Sequence, residues 1–292
     1  MKYIKKQDDA PVSLEKWKEA NKENLERYYN DDTISGGTTW NYLNSRKIEE
    51  SKQEADIIYF SKEELREILG NEQGWICCYC GQRIKNNHTT IVEHLEPKSI
   101  NKRLTFDYKN LYASCRGGVS NDYRIKFDGE RIEDIIQDND TSLEDILSLN
   151  EDLDIRRQLR EGDKIILHGK EAHCDHKKGN RPIFIKPLQI DCEIKFLFKN
   201  DGVIKTKVEN DIETIKTIEI LGLNDNDRII KGRKKAWERA SASLYILRSI
   251  SSDKSSLKSN IKKLHDNLHQ IQENRELREY CFVERAFLKQ FL

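Results

Sequence analysis

Two stretches decide how this chain is read: Trp75-Ile76-Cys77-Cys78-Tyr79-Cys80-Gly81 and Ile91-Val92-Glu93-His94-Leu95-Glu96-Pro97-Lys98-Ser99. In the first, Cys77 and Cys80 stand at Cys-x-x-Cys spacing and Gly81 lets the chain turn tightly behind them. Such a turn aims two thiolates at one ion, about 2.3 Å from each sulfur. Zn²⁺ takes about four ligands, so two more are required. Cys115 and Cys174 are the candidates, and the alternative is that both are ordinary buried thiols. Cys78 reads as a neighbour of the pair, and Cys192 and Cys281 as core residues. A redox Cys-x-x-Cys belongs to a thioredoxin-like βαβ unit. No helix of that kind is evident after Cys80, which disfavours a redox protein.

In the second stretch the apolar lead-in reads as a strand that Pro97 ends. Adjacent residues on a strand face opposite ways unless the backbone twists or bulges, so Glu93 and His94 need such a distortion to act together. A carboxylate can hold a divalent ion while an imidazole takes a proton from water, which suits a hydrolytic site. A solvated acid–His pair is the bland alternative. Further on, Thr105-Phe106-Asp107-Tyr108-Lys109-Asn110-Leu111 precedes Cys115, and His173-Cys174-Asp175-His176-Lys177-Lys178-Gly179 comes much later.

The order Cys-x-x-Cys, Glu-His, Asn, Cys, Cys-Asp-His-Lys-Lys-Gly resembles the HNH (ββα-metal) nucleases. In the zinc-containing branch a second Cys pair follows the Asn. Here that pair is split, with 58 residues between Cys115 and Cys174. The opening Met1-Lys2-Tyr3-Ile4-Lys5-Lys6, the Pro11-Val12-Ser13-Leu14 stretch and Ile218-Glu219-Ile220-Leu221-Gly222-Leu223-Asn224 with Arg233 extend the likeness to PtuB-type HNH endonucleases, over residues 1 to about 240. These are effectors of Septu and some retron anti-phage systems. The resemblance implies an α+β fold, mainly helical around a zinc-stabilised ββα-metal core. It implies that His94 is the general base, Glu93 a ligand of the catalytic ion, and Asn110 a brace of the loop carrying the His. Asp175 would be the second ligand, with His176 its competitor and His173 less favoured. Cys77, Cys80, Cys115 and Cys174 would hold structural Zn²⁺, and Lys177 or Lys178 would contact phosphate. The oxygen-rich catalytic ligands suit Mg²⁺ or Mn²⁺. A neutral imidazole base implies that activity falls below about pH 6. The implied partners are DNA, with RNA such as tRNA as a further substrate, and a PtuA-type ABC/SMC-like ATPase. The chain has no Gly-x-x-x-x-Gly-Lys-Ser/Thr loop of its own, so ATP dependence would come from another subunit.

Around these motifs the composition excludes several classes. The chain has 292 residues, 51 Lys+Arg against 51 Asp+Glu, and only four Pro. No apolar run approaches the roughly 18–20 residues that span a bilayer, and the start lacks the apolar stretch of a signal peptide. The expectation is a cytoplasmic protein without membrane contact. Seven Cys at irregular spacing do not form a disulfide scaffold.

The zero net charge resolves into segments. Residues 71–127 net +4, residues 170–195 net +2, and Arg228 to Arg248 hold seven Lys/Arg against one Glu. Lys98, Lys177, Lys178, Lys231, Arg233, Lys234 and Lys235 are the candidate nucleic-acid contacts, against the alternative of solvated faces. Residues 130–163 carry twelve Asp/Glu against four Arg, with helical apolar spacing. They read as a folded acidic insertion that shields the site, docks a basic partner, or is a solvated spacer.

The expected layout is a helical region over 1–70, a nuclease core over 71–192 interrupted by an insertion over 128–168, and a β-hairpin then helices over 193–292. Ser13 is the expected cap of a first helix, Gly36-Gly37 an expected break, Ser61 with Glu64 a capping box, and Gly70 the end of that helix. Residues 183–208 alternate as strands with a turn at Asn200-Asp201-Gly202. Leu257, Ile261, Leu264, Leu268 and Ile271 form a narrow helical seam. The alternative reading of the chain is a non-catalytic, zinc-stabilised nucleic-acid-binding or scaffolding module. His94 and Asn110 beside a carboxylate argue against it, since a binding finger needs neither.

Overall fold

Helix signals dominate the start of the chain, and four helices form there: α1 (Val12–Ala20), α2 (Lys22–Asn30), α3 (Gly36–Ser45) and α4 (Lys62–Gln73). A computed structural model describes residues 1–45, 61–117, 123–125, 165–167, 172–268, 270–271 and 276–292. Three expectations about helix ends are corrected. Pro11 rather than Ser13 occupies the cap position of α1, because proline has no N–H to satisfy there and its φ suits helix entry. Gly36-Gly37 opens α3 instead of breaking a helix, and the hydroxyl of Ser35 accepts from the Thr38 N–H at 3.0 Å. A Cβ on Gly36 would lie 2.4 Å from the carbonyl oxygen of Lys98, so glycine lets α3 approach that loop. The third end is that of α4, which passes Gly70 and stops at Gly74, whose φ is 64°. Gly70 stays inside because the Trp75 ring lies where its side chain would be. Ser61 does cap α4, accepting from the Glu64 N–H at 3.0 Å.

Two short antiparallel strands follow, β1 (Thr90–His94) and β2 (Leu111–Cys115), with Glu93 opposite Tyr112 and His94 opposite Leu111. β3 (Tyr123–Ile125) pairs with β4 (Ile165–Leu167). The one-turn helix α5 (Cys174–Lys178) then returns to the first strand pair. β5 (Phe196–Phe198) and β6 (Ile204–Thr206) form the expected hairpin, with Gly202 at φ 89° in its turn. Upstream of it, 183–195 is not a strand among the described residues. Pro182 and Pro187 interrupt any ladder, and Cys192–Lys195 forms a 3₁₀ turn. Four helices close the chain: α6 (Ile212–Ile220), α7 (Asp227–Ile250), α8 (Lys254–Asn267) and α9 (Cys281–Leu288). The result is a mixed, helix-rich fold with small two-stranded sheets.

By internal contacts the chain divides into Met1–Gly117 with His173–Leu292, and Gly118–Ala172. The second unit contains the β3–β4 pair. The acidic block 130–163 and its expected helices lie outside the described residues.

In the larger unit, the main core gathers Leu14, Trp17, Leu65, Leu69, Tyr79 and Phe106 around β1 and β2. A second cluster joins α7, α8 and α9 through Ala240, Leu244, Ile261, Leu268 and Phe287. The expected seam faces this second core and ends at Leu268; Ile271 lies past the end of α8 and is exposed. Arg233 is also corrected. It belongs to the buried stripe Ile229–Arg233–Ala236–Ala240 of α7 and is 1% exposed. Its Nε donates to Gly202 O and its Nη2 to Leu223 O, both at 2.6 Å, so it pins the hairpin to α7 and offers nothing to nucleic acid. Lys231, Lys234 and Lys235 are exposed. Among the described residues no helix is long and apolar enough to cross a membrane.

Candidate active site

The Cys77–Cys80 turn is closed by Gly81 N–H to Cys77 O at 3.0 Å and by Cys77 N–H to Gln82 O at 2.9 Å, with Gly81 at φ 79°. It is fastened to β2 by Cys78 N–H to Ala113 O at 3.1 Å. The buried Gln73 adds a second fastening. Its amide donates to Ile76 O and Ala113 O, and its carbonyl accepts from the Ala113 N–H at 2.7 Å. β2 thereby delivers Cys115 to the turn. Cys174 arrives on the other side, where His173 N–H donates to Gly117 O and Cys174 N–H to Leu221 O. Two backbone features permit this approach. Gly117 has φ 68°, and a Cβ there would meet His173 O at 1.7 Å; Cys174 itself sits at φ 52°, an uncommon angle for a residue with a side chain.

The four sulfurs lie within 4.8 Å of one another, all buried. Cys77 and Cys174 are 3.8 Å apart, as are Cys80 and Cys115. A tetrahedral site with arms of about 2.3 Å has sulfur–sulfur edges of about 3.8 Å. All seven Cys are free thiols, so these are not disulfides. The quartet fits a metal ion such as Zn²⁺. Burial pushes the Cys174 thiol well up. Burial raises Cys77 too, but hydrogen bonds from the neighbouring thiols outweigh it and hold Cys77 well below the ordinary thiol value. Four such groups in one buried place call for a cation. Cys78, Cys192 and Cys281 are buried but outside the quartet.

Beside this frame, β1 carries Glu93 and His94, both nearly inaccessible. His94 Nε2 is 3.0 Å from Thr105 O, and Lys98 Nζ is 3.2 Å from His94 Nδ1. A carbonyl can only accept and an ammonium can only donate, so Nε2 carries the proton and Nδ1 is the free base. The Trp40 ring meets the imidazole edge-on, with centroids 4.7 Å apart. Burial, then Lys98, holds His94 well below its ordinary pKa, so the ring is neutral. Asn110 ties the intervening loop together. Its carbonyl accepts from the Glu96 N–H at 2.7 Å, and its amide donates to Glu96 O and Leu104 O.

Glu93 Oε1 accepts from Tyr79 Oη at 3.0 Å and pairs with Lys178 Nζ at 2.7 Å. Lys178 also donates to His94 O at 3.0 Å. Asp175 neighbours Glu93; its pKa is pushed up to about 8 by burial and by that neighbouring carboxylate. Lys178 supplies a cation to this carboxylate pair, and the hard oxygens of the pair would also suit Mg²⁺ or Mn²⁺. Asp175, not His176, is brought onto Glu93. Among the described residues the Cys quartet is the only group of three or more His, Cys, Asp or Glu ligands within 4.8 Å of one another, so neither His94 nor His176 joins the carboxylate pair that closely. His176 donates its backbone N–H to Arg116 O. Lys177 pairs with Asp225. Lys178 is 2% exposed and so is not a free phosphate contact in this state.

Sequence reasoning missed Trp40, Thr105, Tyr79 and Gln73. Tyr79 lies within the Cys77–Cys80 turn, and that position is its sequence signal. A backbone carbonyl such as that of Thr105 leaves no residue-type signal.

No family model matches the chain. It is 26% identical over 196 residues, 64% of its own length and 68% of the relative's, to the "Retron Vc95 putative HNH endonuclease" of Vibrio cholerae serotype O1 biovar El Tor. That likeness supports a nuclease of the HNH type.

Proposed function

We propose that the chain is a metal-dependent HNH endonuclease of the PtuB type, hydrolysing phosphodiester bonds with His94 as general base. The observation that carries this reading is the His94 ring. Its Nε2–H is committed to Thr105 O, so the unprotonated Nδ1, to which Lys98 donates, is the atom that can take a proton. A buried imidazole with one nitrogen fixed by a carbonyl is the arrangement a proton acceptor needs. Glu93 and Asp175 hold the catalytic Mg²⁺ or Mn²⁺, which when bound stabilises charge on the nonbridging and leaving oxygens. In an in-line attack the water oxygen bonds to phosphorus as the P–O bond to the leaving oxygen breaks; the water proton passes to His94 Nδ1, and Thr105 O steadies the imidazolium that results. Asn110 keeps that carbonyl and the His strand in one register. Lys98, already at Nδ1, would contact the phosphate. The Cys quartet holds Zn²⁺ as a structural pin.

The retron name of the relative and the PtuB resemblance support an anti-phage role with an ABC/SMC-like ATPase. The test is cleavage of plasmid DNA and of tRNA with Mg²⁺ or Mn²⁺, with and without that ATPase. Cleavage of one substrate that chelation abolishes is expected. No cleavage of either, under any of these conditions, contradicts the reading.

A further inference from the structure

Glu93 Oε1 is already engaged. It accepts from the Tyr79 hydroxyl and from the Lys178 ammonium, and Asp175 is a neighbouring carboxylate. An ion that takes Glu93 as a ligand therefore binds a carboxylate that already carries an ammonium partner. Of the three, only Lys178 brings a full positive charge, and that charge would stand against the ion across one carboxylate in a site shielded from water. The side chains of the pair are 2% and 4% exposed, so solvent screens little of the repulsion. Lys178 ends α5, and the next residue is the exposed Gly179, at φ 51° with open space around its Cα. Cys174 keeps the start of the same helix at the sulfur quartet.

We propose that Lys178 is a resident counter-cation of Glu93 that competes with the divalent ion, so that binding the ion and releasing Lys178 are one event. This rests on the reading of Glu93 and Asp175 as the ion's ligands. In the ion-free state Lys178 neutralises the buried carboxylate and keeps β1 and α5 together. Ion binding hands that task to the metal and frees a lysine beside the reacting phosphate. Lys178 is thus a positioning residue whose first effect is on metal affinity.

The experiment titrates the zinc-loaded full chain with Mn²⁺ by calorimetry, without nucleic acid, for wild type, Lys178→Met and Lys178→Arg. Lys178→Met should bind Mn²⁺ at least about tenfold more tightly, because the competing charge is gone. Lys178→Arg, which keeps the charge, should stay near wild type. Equal or weaker binding by Lys178→Met, with zinc content and circular dichroism unchanged, overturns the inference. Should Lys178→Met fail to fold, amine labelling of the wild type decides. Mass spectrometry should find Lys178 more reactive as Mn²⁺ saturates, and unchanged reactivity overturns the inference. No Mn²⁺ binding by any of the three chains removes the Glu93–Asp175 reading itself, and the inference with it.

Discussion

The Nε2 of His94 lies 3.0 Å from the carbonyl oxygen of Thr105, and this contact sets which ring nitrogen is free to accept a proton. Trp40 completes the setting by standing edge-on to the same ring and stacking on Phe106. Trp40→Leu should leave zinc content unchanged. It should lower kcat by roughly tenfold, about 1.4 kcal/mol, with little change in KM, because it loosens the base without touching the substrate. Steady-state kinetics on the cleaved substrate check this; a change confined to KM would instead place Trp40 in substrate binding.

The sulfur quartet makes a prediction about zinc. Cys115→Ser or Cys174→Ser should eject the ion and melt the strand pair, at a cost of several kcal/mol, because metal-binding energy is folding energy in such sites. Cys192→Ser and Cys281→Ser lie outside the quartet and should retain one zinc per chain. Zinc stoichiometry by elemental analysis separates the two groups.

Of the seven cations on α7, Arg233 is buried and the other six are exposed, Lys231, Lys234 and Lys235 among them. Arg233→Ala strands the carbonyls of Gly202 and Leu223 and should destabilise the chain by about 3 kcal/mol, with no change in the salt dependence of nucleic-acid binding. Replacing Lys231, Lys234 and Lys235 by Ala should leave stability within about 0.5 kcal/mol. If that face meets phosphates, it should flatten the log–log salt slope by up to about 3. Binding isotherms at several salt concentrations, with chemical denaturation alongside, check both.

Lys6 and Glu72 form a buried pair at 2.7 Å, with Lys6 also donating to Leu111 O. Burial pulls the Lys6 pKa down to about 8, although Glu72 pulls the other way. From about pH 8 to the ordinary lysine value, about 10.4, the unfolded chain holds the Lys6 proton and the folded chain does not. Stability from this group therefore rises with pH across that window, by an amount of order 3 kcal/mol. It is flat below it. The double variant Lys6→Met/Glu72→Gln lacks both titrating groups. The unfolding free energy of wild type relative to it should climb from pH 8 to 10 and stay level from pH 6 to 7.

Much of the site was legible because metal chemistry is written in side-chain types. Cys77, Cys80, Cys115 and Cys174 come together as their chemistry requires, despite the 58 residues inside the second pair. The contacts made by backbone atoms were not legible. Thr105 serves His94 through a carbonyl that every residue possesses, and Trp40 reaches it only because α3 closes on the Lys98 loop at Gly36. Charge type also misled. Arg233 and Lys178 sit in basic runs that read as phosphate contacts, yet each is spent on buried acceptors. The spacing of Arg233 with Ile229, Ala236 and Ala240 was available as a warning, since it puts the guanidinium on an apolar stripe. The helix ends failed for a related reason. Gly36 opens a helix and Gly70 lies inside one; both make room, for Lys98 and Trp75, and close packing of that kind has no local signature.

The central claim is that one imidazole performs the chemistry on a frame that zinc holds independently of it. The most direct measurement compares wild type with His94→Ala, reading bound zinc and Mg²⁺-dependent cleavage in the same preparations. Equal zinc in both, with cleavage lost by at least about a hundredfold only in the variant, is the result expected of a lost general base. Equal zinc with equal cleavage would contradict the claim and leave His94 a buried core histidine.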